Sequence, residues 1–216
     1  MAVKFRIALG ALAAAAFSTS ATPAFADMDF RVVMTAGGAR VIAAEGQIGR
    51  STPETLRAFL RANIQRGVRA VVYMHSPGGS VRGSMELGES FRRLGVAVVV
   101  ARVAGGDESR PGRTTAGGCF SACVYALMGG AKRVVPPQSL VGVHKMFAMR
   151  AGGDPSGDSG GRDFDDGRVA SGLARYAARM GVSRELISRA ERSSPDAIYM
   201  LNQTEIRRWR LAVPAL

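Results

Sequence analysis

Strand and helix periods alternate along the first half of the chain. Residues 31–34 and 41–44 are short apolar runs on either side of Gly37-Gly38, which predicts a strand pair joined by a turn. Ser51-Thr52-Pro53-Glu54 then marks a helix start, with a capping serine, a glutamate three residues on and a proline in the first turn. Leu56, Phe59, Leu60 and Ile64 recur at helical spacing, so this helix packs by one face, and Gly67 ends it. Residues 70–74 (AVVYM) form a continuous apolar run of the kind buried in a covered sheet. A helix over about 80–94 and a buried strand over 97–103 (AVVVARV) follow. This strand–helix–strand order predicts a parallel α/β architecture.

The second half is more broken. Residues 105–118 are polar and glycine-rich and read as a surface loop. A short apolar helix is predicted over 121–128, and strands over 133–135 and 140–143 flank the Pro136-Pro137 turn. Residues 151–167, rich in Gly, Asp and Ser, read as a second loop. Two helices are predicted over about 168–180 and 183–192, the first with Leu173, Tyr176 and Ala177 on one face. There is no internal repeat.

Composition adds the scale and the destination. A chain of 216 residues with 47% hydrophobic positions suits one domain with a real core. Aromatics are only 6%, so Ala, Val, Leu and Met must fill it. Lys4 and Arg6 precede an apolar run over 7–17 that is too short to span a bilayer, and Ala24-Phe25-Ala26 is an A-x-A cleavage site. Residues 1–26 therefore read as a signal peptide and 27–216 as the mature domain. The Ala-rich form suits bacterial Sec export to the periplasm. The formal charge is +12, of which Lys4 and Arg6 leave with the signal. The remaining arginines are scattered, with no compact basic block and little aromatic interleaving, which argues against a nucleic-acid partner.

Three segments carry candidate chemistry. His75-Ser76-Pro77-Gly78-Gly79-Ser80 stands between a buried strand and a helix. Its glycines permit a sharp turn and leave N–H groups open near a helix N-terminus, an anion or oxyanion site, although a plain tight βα turn has the same composition. Gly117-Gly118-Cys119-Phe120-Ser121-Ala122-Cys123 places a serine among small residues at the start of an apolar helix. There the Ala122 N–H and the Ser121 hydroxyl can face one space, and a capping serine without chemistry is the plainer reading. His144 ends the strand 140–143. A serine hydroxyl needs a base to become a nucleophile, and His144 and His75 are the two histidines in the chain.

In that order these segments resemble the Clp protease proteolytic subunit, within the wider crotonase-fold group. The resemblance runs from about Val71 to His144, helped by Gly130-Ala131-Lys132-Arg133 and Pro137-Gln138-Ser139, with a weaker tail to Trp209. The chain is similar also to a group of exported bacterial Clp-like proteins with a C-x-S-A-C serine motif, here Cys119 to Cys123. The resemblance implies a ClpP/crotonase-like repeated ββα spiral, its mostly parallel sheet covered by helices. It implies a serine hydrolase, most simply an endopeptidase without a cofactor, with Ser121 as nucleophile, His144 as general base, and Gly79 and Ala122 as oxyanion donors. Asp196 is the matching triad acid, with Asp163, Asp165 and Asp166 as alternatives. A Ser–Lys dyad through Lys132 or Lys145 is a variant of the same chemistry. Outside the cytoplasm no ATPase can feed such an enzyme, so unfolded or exposed peptide segments would be its substrates. The family implies a homo-oligomer. A catalytically inactive envelope protein that binds peptides or assembles is the competing reading, and acyl-CoA chemistry of the crotonase kind fits export poorly. The interval from Gly79 to Ser121 is longer than in the Clp subunit, and no G-x-S-x-G elbow surrounds Ser121.

Cys119 and Cys123 remain open between a disulfide and two buried thiols. Four apart on one helix, their Cβ atoms would stand about 5–6 Å apart, beyond the roughly 3.5–4.5 Å a disulfide needs. A bond therefore requires Cys119 to lie outside the helix. A zinc site is not expected, since only the two histidines could complete it.

Overall fold

In a computed structural model, which describes residues 26–63, 67–149, 162–164 and 167–215, the chain opens with the predicted hairpin. Strands β1 (Asp29–Thr35) and β2 (Arg40–Glu45) pair antiparallel. Helix α1 (Thr52–Asn63) leads to β3 (Val71–His75), and α2 (Val81–Arg93) leads to β4 (Ala97–Ala104). β2, β3 and β4 run parallel, as crossovers through helices require. The Ser80 hydroxyl caps α2 by accepting from the Gly83 N–H. The expected signal segment, apart from Ala26, and most of the loop at 151–167 lie outside the described residues.

The segment read as a surface loop at 105–118 contains a strand. β5 (Pro111–Ala116) runs antiparallel to β4 and also meets β1 at Met34 and Thr35. Because β3 pairs with β4 as well, the strands return to their starting point in the order β1-β2-β3-β4-β5. The expected helix-covered parallel sheet is thus present in β2, β3, β4 and β7 (Lys132–Val134), but a polar antiparallel arm closes it into a ring. Arg113, Thr114 and Thr115 sit on the solvated arm, where no apolar alternation is needed.

Burial separates the two faces of the main strands with a period of two. Phe30, Ile42, Ala44, Val72, Met74, Val98 and Val100 join the main core with the helices. Val33, Val41, Ala43 and Val103 form a small cluster on the other face, and Val99, Ala101 and Val134 form another. Val71 and Tyr73 pack against both small clusters.

Beside the ring lies a smaller sheet in the order β11-β8-β6, built from β6 (Gly118–Phe120), β8 (Leu140–Val143) and β11 (Tyr199–Met200). Helix α3 (Cys123–Gly129) follows β6 and is wholly buried. β9 (Phe147–Met149) and β10 (Arg162–Phe164) pair as a hairpin. Helices α4 (Arg168–Arg179), α5 (Glu185–Glu191) and α6 (Gln203–Arg208) complete the fold.

One arginine gathers the C-terminal half. The Arg133 guanidinium donates to the carbonyls of Met128, Gly130, Met180, Arg210 and Leu211, and Arg92 also donates to those of Met128 and Met180. The ends of α3 and α4 and the final turn thus share one donor fork. Burial, then the neighbouring charge of Arg92, holds the Arg133 pKa below its ordinary value.

Helices α2 and α3 touch backbone to backbone at Gly88 and Gly129. A Cβ on Gly129 would overlap the Gly88 carbonyl, and one on Gly88 would meet the Tyr176 hydroxyl and the Tyr125 carbonyl. That hydroxyl donates to the Tyr125 carbonyl at 2.8 Å. Gly88→Ala is therefore expected to destabilise the protein by about 1–3 kcal/mol through overpacking. Gly172→Ala on α4, where a Cβ would meet only the Arg175 guanidinium at 3.9 Å, is expected to stabilise it by roughly 0.5–1 kcal/mol. Urea unfolding of the two variants beside the wild type measures both.

Candidate active site

The site forms where β6 ends. Strand β6 lies between two neighbours: Cys119 pairs in parallel with Val141 of β8, and forms a bridge with Ser76 on its other side. The Ser76 N–H donates to the Gly118 carbonyl, the Phe120 N–H to the Ser76 carbonyl, and the Ser121 N–H to the Gly142 carbonyl. The chain therefore leaves the sheet at a fixed point, beside the glycine turn and beside the strand that carries His144.

Ser121 takes a φ of 55°, and with Arg210 it is one of two non-glycine residues among those described with a positive φ. Such a backbone costs an L-residue about 1–3 kcal/mol and persists only where its surroundings over-determine it. The result is a sharp strand-to-helix turn that presents the Ser121 hydroxyl without the G-x-S-x-G composition such turns often have. The Ser121 hydroxyl lies 2.8 Å from Nε2 of His144, and both residues are half-buried. The Phe147 ring lies 6.0 Å from the imidazole, centre to centre.

Nδ1 of His144 stands 2.8 Å from the Lys145 carbonyl oxygen. A carbonyl only accepts, so Nδ1 carries the proton and Nε2 presents its lone pair to the serine hydroxyl. This is the tautomer a general base needs. The orienting group at Nδ1 is thus main chain, whereas sequence reasoning assigned a carboxylate. Asp196 sits in an exposed turn, its N–H bonded to the Ser194 hydroxyl. Its segment approaches His144, since Tyr199 lies opposite Val143. Of the alternatives, Asp163 belongs to β10, and Asp165 and Asp166 lie outside the described residues.

Gly78 and Gly79 have φ values of 108° and 131°, which a side chain would rarely permit. A Cβ on Gly78 would stand 2.8 Å from Cβ of Ser121 and 3.1 Å from the Ala122 nitrogen, and one on Gly79 would overlap the Ile48 carbonyl. The glycine turn therefore abuts Ser121 directly. The Ile48 N–H donates to the Gly78 carbonyl and the Ser80 N–H to the Ile48 carbonyl, so the turn is anchored on both sides of Gly79. Among the described residues, the N–H groups of Gly79 and Ala122 have no acceptor.

His75 is placed otherwise. Its Nδ1 accepts from the Gly118 N–H at 2.9 Å, which makes it a support of β6 rather than a partner of Ser121. Lys132, exposed in β7, and Lys145 are not the partners of the serine hydroxyl, which bonds His144. Cys119 and Cys123 are joined by a disulfide, with Cα atoms 5.3 Å apart. Cys119 lies in β6, outside the helix, which is the geometric condition derived above. Among the described residues no group of His, Cys, Asp and Glu could hold a metal, and no helix is long and apolar enough to cross a membrane.

No family model and no curated protein matches the chain. Solved structures do resemble it in fold. An alanine mutant of the 1510-N membrane-bound stomatin-specific protease superposes with a TM-score of 0.54 at 13% identity, over 77% of this chain and 74% of that one. A second alanine mutant, in complex with a substrate peptide, gives 0.53 at 14% identity over 77% and 70%. The 1510-N membrane protease specific for a stomatin homolog from Pyrococcus horikoshii gives 0.50 at 12% identity over 79% and 70%. The chain therefore shares the fold of these Clp-like proteins.

Burial, then the nearby Arg102, lowers the His75 pKa below its ordinary 6.5, with Glu45 opposing. The unfolded chain then takes up this proton first. The His75 contribution is intact above about pH 6.5 and is lost as the pH falls from there through the folded-state value. His75→Gln, whose amide oxygen can still accept from Gly118, is expected to flatten that part of the stability–pH curve. Chemical denaturation at a series of pH values compares the two proteins.

Proposed function

We propose that the protein is an exported, ATP-independent serine hydrolase, most simply an endopeptidase, working through Ser121 and His144. The observation that carries this reading is the 2.8 Å contact between the Ser121 hydroxyl and Nε2 of His144, with Nδ1 held by a carbonyl. The fold shared with the 1510-N membrane proteases supports it. In the first step His144 accepts the serine proton as Oγ attacks the acyl carbon. The amides of Gly79 and Ala122 receive the oxyanion, each contributing about 3–4 kcal/mol of barrier in such sites. The imidazolium returns its proton to the leaving amine, the acyl group stays on Ser121, and water then releases it by the same route. An open groove of about 340 Å³ between α2 and α4, lined by Val81, Met85, Leu173 and Arg175 among others, suits an apolar side chain of an extended peptide. Exposed or unfolded segments are the substrates this implies, in the periplasm after removal of residues 1–26, by a homo-oligomer.

Fluorophosphonate labelling of the mature protein tests the chemistry. Ser121→Ala is expected to abolish labelling, and His144→Ala to slow it by roughly a thousandfold or more. A folded wild-type protein that does not label would instead favour the peptide-binding or assembly role. A second prediction concerns the acid. With the Lys145 carbonyl already at Nδ1, Asp196→Asn is expected to slow labelling less than tenfold, against about 10⁴-fold for loss of a triad aspartate.

A further inference from the structure

The disulfide closes a ring that contains Phe120, Ser121 and Ala122. Both cysteines are wholly buried and belong to different elements, Cys119 to β6 and Cys123 to the first position of α3. The bond thus ties strand to helix across the one residue between them that has a positive φ. On the strand side the main chain holds this turn, through the Ser121 N–H and the Gly142 carbonyl. On the helix side the Ser121 and Ala122 carbonyls accept from the Val124 and Tyr125 N–H groups, but the Ala122 N–H has no acceptor among the described residues. An oxyanion donor has to stay open in this way, so its own hydrogen bond cannot fix the turn. A covalent tie between the flanking side chains can.

We propose that the Cys119–Cys123 disulfide is a positioning device for Ser121, and that the site is assembled only when the two thiols are oxidised. The proposal rests on the hydrolase reading above. Ring closure joins the two sulfurs and removes two electrons and two protons; a small-molecule disulfide such as oxidised glutathione accepts them and departs as two thiols. In a reducing compartment the chain keeps both thiols, and Ser121 relaxes from its left-handed backbone toward the ordinary region. The pairing of β6 with Ser76 and β8 is main-chain bonding and survives reduction. The reduced protein is therefore folded and latent, and oxidation of the two thiols switches it on.

The test compares the oxidised mature protein with Cys119→Ala/Cys123→Ala, each with and without Ser121→Ala. Two quantities are read: the limiting rate of fluorophosphonate labelling, and the nitrogen NMR resonances of the His144 imidazole. The double cysteine variant is expected to keep its circular dichroism and to label at least tenfold more slowly at saturating reagent, with the half-saturating concentration unchanged. Ser121→Ala is expected to move the His144 Nε2 resonance in the oxidised protein and not in the cysteine variant. Labelling within twofold of wild type, or an equal resonance shift in both backgrounds, overturns the proposal. If the wild type does not label, the hydrolase reading fails, and the resonance comparison still decides whether the disulfide positions Ser121. If the cysteine variant does not fold, the native chain prepared with free thiols replaces it. Labelling should then rise as oxidised glutathione closes the ring, and equal labelling before and after closure overturns the proposal.

Discussion

Strand β6 is hydrogen-bonded along both edges, and the points at which the Ser121, Gly79 and His144 segments leave the sheet follow from that. Its partner on one side is Ser76, from which the chain runs directly into the Gly78-Gly79 turn. Its partner on the other is β8, which ends one residue before His144. Ser121, the Gly79 amide and His144 thus hang from three adjacent backbones whose spacing a sheet fixes at about 4.7–4.9 Å. The sheet thus sets where the three segments leave it, while the conformation of Ser121 is decided in the turn beyond. It also explains the small buried polar groups beneath it. The Ser139 hydroxyl accepts from the Gly117 N–H and donates to the Val100 carbonyl, filling the gap where the main ring and the smaller sheet diverge.

The site was largely legible in the sequence, and the reason is that its parts are sharp turns. Gly78, Gly79 and the small residues around Ser121 stand where a Cβ or a bulkier neighbour would collide, so the chemistry leaves a compositional trace. The helix over about 80–94 and the strand at 140–143 were readable because buried apolar faces have a period. β5 was not, since its residues lean on hydrogen bonds at a solvated edge and show no alternation. The Arg133 clamp was invisible because its acceptors are carbonyls, which every residue has. The same holds for the Lys145 carbonyl at Nδ1, which no side-chain motif marks.

That carbonyl shapes the chemistry as well as the geometry. It fixes the tautomer as well as an aspartate would, but in the proposed reaction it would bring a dipole rather than a full negative charge to the imidazolium. The His75 arrangement is the complement. There a neutral imidazole accepts from a main-chain N–H and is held neutral by burial and Arg102. The two histidines of the chain thus have opposite hydrogen-bond polarity at Nδ1, one donating and one accepting, which separates the base from the support.

The clamp on Arg133 has a consequence for the conditions in which the protein can work. Among the described residues, the five carbonyls that receive this guanidinium include no ionisable acceptor, and no carboxylate pairs with it. Acid cannot discharge such a tie by protonating its acceptor, and the donor titrates far above neutrality. Salt screens a dipole-bound cation less effectively than a surface ion pair. The fastening of the C-terminal half therefore depends little on the acidity and ionic strength of the medium.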